Sequence, residues 1–116
     1  MTHRLTYIEL PASNLEQSAR FYADVIGWKL DVRASGDIRF SDEAAQVIGR
    51  FVRGRLATPE PGILPYFSVD DVEAAIAKLA ISGGEVETPR YREGDLWVAR
   101  LRDPSGNEIG IWQFAA

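Results

Sequence analysis

The chain has 116 residues, no cysteine and a formal net charge of −4, from 13 Lys and Arg against 17 Asp and Glu. That length suits one domain with a buried core and is short for two, and the missing thiols exclude disulfides, thiolate metal sites and a cysteine nucleophile. The acidic balance, with basic residues interspersed, argues against nucleic acid or an anionic membrane as a partner.

Residues 5 to 10, LTYIEL, are rich in strand formers and stop at Pro11, so a first strand is expected over 4 to 10. Ser13 with Glu16 three places on has the form of a capping box, which starts a helix near Asn14. Leu15, Ser18, Tyr22, Val25 and Ile26 share one side of that helix, and Gly27 ends it. Three more strands follow, over 28 to 33, 37 to 41 and 46 to 53. After the Pro-rich stretch TPEPG, LPYFSV opens a fifth strand over 63 to 69. Asp70 with Glu73 caps a second helix whose apolar side is Val72, Ala75, Ile76 and Leu79, closed by Gly83 and Gly84. The last strands are expected over 85 to 88, 95 to 102 and 107 to 114, with Asp103-Pro104-Ser105-Gly106 as a tight turn before the final one.

The two halves repeat one grammar. Laying Ser13 on Asp70, 57 residues on, brings Glu16 onto Glu73, Tyr22 onto Leu79 and Gly27 onto Gly84; GDIRF then falls on GDLWV and VIGRF on EIGIW. A nearly fixed period is the signature of a repeated supersecondary unit. The fold class expected is therefore α+β: one domain over 1–116, built of two tandem βαβββ modules (1–57 and 62–116, with a linker at 58–61), whose eight strands form a curved surface around a concave cavity with the helices outside. A small molecule is the expected occupant of such a cavity.

Several chemistries are unsupported. The serines have only His3 as a conceivable base, and there is no nucleophile elbow, Gly-x-Gly-x-x-Gly turn or P-loop lysine. The N-terminal MTHRLTYIEL lacks the apolar core of a signal peptide, and no apolar stretch approaches the ~20 residues of a membrane span, so a cytoplasmic protein is expected.

YIELPASNLEQSARFYADVIGW, YFSVDDVEAAIAKLAISGG and the terminal DPSGNEIGIWQF together resemble the vicinal oxygen chelate superfamily of glyoxalase I, extradiol dioxygenases and bleomycin and fosfomycin resistance proteins. The most specific pieces are FY followed by GW, and DP-x-G-N. The resemblance implies paired modules forming a U-shaped cavity, commonly completed by homodimerisation, and, in the metal enzymes, a divalent ion held by side chains of the first and fourth strands of each module. Those positions are expected at Leu5, Leu64, Gly110 and, in module one, Gly49. None offers an oxygen or imidazole donor, so no metal ligand set and no cofactor are expected.

The candidate ligand-binding residues are Leu5, Tyr7, Glu9, Gly49, Phe51, Leu64, Tyr66, Trp97, Gly110 and Trp112. Gly49 and Gly110 are read as matched positions that either admit a ligand against the backbone or relieve crowding in a curved sheet. Tyr7, Tyr66, Phe51 and Trp112 would form an aromatic wall, and Trp97 joins it if its strand faces that way. Glu9 is the one catalytic candidate, a carboxylate whose pKa would rise above an apolar floor, or else a partner for an arginine. Arg50, Arg53 and Arg55 would attract an anion or sit solvated at a strand edge. The function expected is metal-free binding of a small, partly apolar molecule; the alternatives are a metal-dependent lyase or dioxygenase and a non-catalytic interaction module.

Overall fold

A computed structural model describes residues 4–42, 44, 46–57 and 62–115, so His3 and the linker at 58–61 lie outside the described residues. The chain runs β1 (Tyr7–Pro11), α1 (Leu15–Phe21), a π-helical turn (Tyr22–Ile26), β2 (Lys29–Val32), β3 (Ile38–Ser41) and β4 (Ile48–Val52). It then repeats with β5 (Tyr66–Ser68), α2 (Val72–Ala77), α3 (Leu79–Ser82), β6 (Glu85–Glu93), β7 (Leu96–Arg102) and β8 (Glu108–Phe114). This is the expected pair of βαβββ modules.

The helix starts follow the capping logic, displaced by one residue. Asn14 rather than Ser13 caps α1, accepting the Gln17 amide at 3.0 Å, and Asp71 rather than Asp70 caps α2, accepting the Ala74 amide at 3.2 Å. Both ends use glycine in the left-handed region, Gly27 at φ 89° and Gly83 at φ 86°, where a Cβ would be strained. The π turn is closed by the Gly27 amide, which donates to the Tyr22 carbonyl five residues back, and the Trp28 amide shares that acceptor.

The strands form two four-stranded sheets, ordered β1-β4-β3-β2 and β5-β8-β7-β6, with the first pair parallel in each and the others antiparallel. The eight expected strands are thus shared equally between two four-stranded sheets, one per module. They are joined on their helix sides, where the π turn meets α2 and α3 and where α1 meets α3. Tyr22 sits at the centre of this junction, fully buried, stacked on Trp28 at 5.0 Å, tilted against Phe51 and edge to face with Phe67. Phe67 belongs to module two, so the aromatic cluster spans both modules.

The turn before β8 completes the junction. Asp103 is 4% exposed, and its carboxylate accepts the Tyr22 hydroxyl at 2.9 Å, the Ser105 and Asn107 amides at 2.9 Å each, and the Asn107 side chain at 2.7 Å. Asn107 also donates to the Pro11 carbonyl at 2.8 Å, and the Ser105 hydroxyl accepts the Ser13 amide at 3.0 Å. A turn of module two is thereby tied to β1, to the α1 entry and to the buried tyrosine of module one. Residues read as family signature, FY, GW and DPSGN, meet one another here.

Burial, then the charge of Asp103, push the Tyr22 phenol well above its usual 10.0. A raised phenol pKa favours the native state up to the unfolded pKa, and that advantage is lost as pH climbs further. Urea titrations should therefore show wild-type stability falling above about pH 10, by at most about 1.4 kcal/mol per pH unit from this group, and Tyr22→Phe should lack that slope. At pH 7 the Tyr22→Phe variant should lose about 2 kcal/mol, since it strips a buried carboxylate of one donor.

Candidate functional site

Each sheet has one face on the core and one open. Cross-strand partners share a face, so the register assigns the open faces residue by residue. In module one the open face carries the rows Tyr7–Ile48–Ser41–Lys29 and Glu9–Arg50–Arg39–Asp31. In module two the corresponding rows are Tyr66–Gly110–Arg100–Thr88 and Ser68–Trp112–Val98–Tyr91. The Ile48 amide donates to the Thr6 carbonyl just as the Gly110 amide donates to that of Pro65. Gly110 is thus equivalent to Ile48, and Trp112 to Arg50.

This places the expected residues differently from the sequence reading. Gly49 and Phe51 lie on the core side: Phe51 is 2% exposed against Tyr22 and Phe40, and a Cβ at Gly49 would strike the Ile8 carbonyl and the Phe40 ring. Pairing VIGRF with EIGIW was one residue out of register, and a one-residue slip exchanges the faces of a strand. Trp97 is also on the helix side, packed against the core and covered by the Arg90 guanidinium at 4.1 Å from the ring centroid. Leu5 and Leu64 precede their strands; Leu5 is exposed and Leu64 half-buried. Tyr7, Glu9, Tyr66, Gly110 and Trp112 remain on the open faces, the first two in one module and the other three in the other.

Gly110 has a clear structural reason. The Tyr66 ring lies flat across it, where a Cβ would overlap the ring carbons. The two glycines therefore serve different ends: Gly49 relieves crowding in the core, and Gly110 seats an aromatic ring on the open surface.

The two open faces differ electrostatically. On module one, Glu9 is held by Arg55 at 2.8 Å and Arg50 at 3.4 Å, and those two cations, Arg55 foremost, keep its carboxyl below the usual carboxylate value against a smaller opposing effect of burial. Glu9 is ionised at neutral pH and is not the raised carboxyl that acid catalysis would use. A hollow of about 550 Å³ beside it is lined by Arg50, Arg53 and Arg55, and another of about 200 Å³ by Tyr7, Lys29, Arg39 and Ile48.

Module two is aromatic. Trp112 meets Phe114 edge to face at 5.0 Å, and Arg100 stands among the hydroxyls of Tyr66 and Tyr91. Burial, with a lesser push from Tyr66, raises the Tyr91 phenol above its usual value, so it stays neutral. Arg100 and Tyr91 were missed in the sequence. The signal that could have found them is the hairpin itself: a turn at 103 to 107 pairs Arg102 with Glu108 and hence Arg100 with Gly110.

The family's metal positions can now be restated from Gly110. Its neighbour on β5 is Tyr66, and the module-one equivalents are Tyr7 and Ile48. Two phenols, an aliphatic chain and a hydrogen offer no imidazole or carboxylate and do not fit a divalent ion. Among the described residues no three His, Cys, Asp or Glu side chains gather as a metal site.

With the geometry in place, comparison with known proteins gives the class. The model of the Glyoxalase/Bleomycin resistance protein/Dioxygenase superfamily matches residues 4–111, and the chain belongs to that family. More particularly, it is 28% identical over 115 residues to the glyoxylase-named protein CFP32 of Mycobacterium bovis, covering 92% of this chain and 44% of that one. The chain thus spans less than half the length of that curated relative. Among solved structures it matches TnmS3, an antibiotic binding protein from a Streptomyces species, with TM-score 0.70, 26% identity and 98% of each chain covered. It also matches a glyoxalase/bleomycin resistance protein from Albidiferax ferrireducens, with TM-score 0.73, 24% identity and coverage of 93% of this chain and 96% of that one.

The contrast between the glycines is measurable by denaturation. Gly49→Ala should cost about 3 kcal/mol or more, because backbone and a buried ring must both yield. Gly110→Ala should cost less, about 1 kcal/mol, because the half-exposed Tyr66 ring can swing away.

Proposed function

We propose that the chain binds a small, partly apolar molecule against its open sheet faces, in a cavity completed by a second copy of itself, and that it does so without a divalent metal. The observation that carries this reading is the content of the metal corners, where phenols, an aliphatic side chain and a glycine stand in place of donors, beside the aromatic surface of Trp112, Phe114 and Tyr66. Likeness to TnmS3, described as antibiotic binding, supports a binding role over turnover. A cytoplasmic location accords with the cysteine-free composition.

Pairing with a second copy follows from exposed apolar surface. Leu5, Tyr7, Ile48, Tyr66 and Phe114 are all exposed, at 70, 48, 47, 43 and 71%, and β1 and β5 are edge strands. Such a surface at open edges favours association over solvation.

Two measurements test the reading. Light scattering at micromolar concentration should give a dimer, and Phe114→Glu should shift it toward monomer; a wild-type monomer would contradict the completed cavity. Elemental analysis of protein purified without chelator should find no stoichiometric zinc, nickel, manganese or iron, and one such ion per chain would overturn the metal-free assignment.

A further inference from the structure

The geometry points to Arg100, flanked by the phenols of Tyr66 and Tyr91 on the open face of module two, as the subsite that takes the anionic group of a flat aromatic ligand. This deepens the proposed binding role and rests on it.

Four observations converge on Arg100. Its side chain is 41% exposed, on the same face as Trp112 and Phe114. Its ion pair to Glu108 is 3.9 Å long, and the other oxygen of Glu108 is taken by Arg102 at 3.2 Å. By contrast, Arg33, Arg50, Arg55, Arg90 and Arg102 each have a carboxylate at 3.4 Å or less. The Arg100 Nε is buried without a hydrogen-bond partner among the described residues, so it retains a donor that water or a bound anion can take. Finally, its cross-strand neighbour is Gly110, which carries no side chain, and the Tyr66 ring lies over that glycine.

The chemistry selects the ligand class. A guanidinium presents a planar fork of donors that matches the oxygen pair of a carboxylate or sulfonate, and phenol hydroxyls on either side can donate to the same anion. The Tyr66 oxygen beside it raises the already high pKa of Arg100, so the positive charge is permanent. The surrounding rings of Trp112, Phe114 and Tyr66 provide contact for a flat apolar body. Module one has Ser41 at the position equivalent to Arg100, and its arginines lie in a different row, with Glu9 closing on Arg50 and Arg55. A cation flanked by two phenols is thus present on the open face of module two and has no counterpart at the matching position of module one.

The test uses 2-naphthoate and its neutral isostere 2-naphthamide, titrated calorimetrically into wild type, Arg100→Gln and, as control, Arg20→Gln, which alters an exposed arginine in the last turn of α1. Wild type should bind the naphthoate about tenfold more tightly than the amide, as a charge-assisted contact implies. Arg100→Gln should abolish that preference while leaving the amide within about twofold, and Arg20→Gln should retain it. A preference that survives in Arg100→Gln, or wild type binding both probes equally, would overturn the assignment while leaving the binding role standing. Failure of wild type to bind either probe would contradict both. Unchanged thermal melting of Arg100→Gln would show that a lost preference is not lost folding.

Discussion

The buried carboxylate of Asp103 is the constraint on which the rest depends. A charge so enclosed is tolerable only with its donors in place, and they come from both ends of the molecule: the Tyr22 hydroxyl from module one, and the amides and side chain of its own turn. Satisfying it fixes the turn before β8, presses Tyr22 into the aromatic cluster with Trp28, Phe51 and Phe67, and leaves Asn107 free to reach the Pro11 carbonyl. Without these ties the two sheets, which share no strand pairing, would be held only by the helix contacts.

This arrangement separates fold from function. The segments most characteristic of the family are spent on holding the modules together, on the helix side of both sheets. The opposite faces are consequently free to differ. Module one presents a charged surface in which Arg50 and Arg55 hold Glu9, while module two presents rings beside Arg100, with the Arg102–Glu108 pair in the next row. A duplicated scaffold thus carries two unlike open surfaces.

Much of the fold could be read from local chemistry, and the site only partly. The helices were legible because short polar side chains before an amphipathic run and glycines after it have direct physical roles; the caps fell one residue late because Ser13 and Asp70 each precede a second residue able to do the same work, Asn14 and Asp71. Strand β6 runs to Glu93, beyond the expected end at 88, because its hairpin turn lies at Gly94, with φ 58°, and irregular pairing accommodates the Thr88 to Tyr91 stretch. The face of β4 was misread because glycine carries no side chain to betray its orientation, and two glycines in similar surroundings invited a false alignment. The absence of donors at Gly110 was legible from the sequence, whereas Arg100 became visible only once β7 and β8 were paired.

The central claim is that Asp103 joins the two modules into one cooperative unit, and scanning calorimetry of Asp103→Ala tests it most directly. The account predicts a single transition for wild type. For the variant it predicts a midpoint lowered by roughly 10 °C or more, with a broadened or split transition as the modules uncouple. An Asp103→Ala transition as sharp as that of wild type, and at the same temperature, would contradict it.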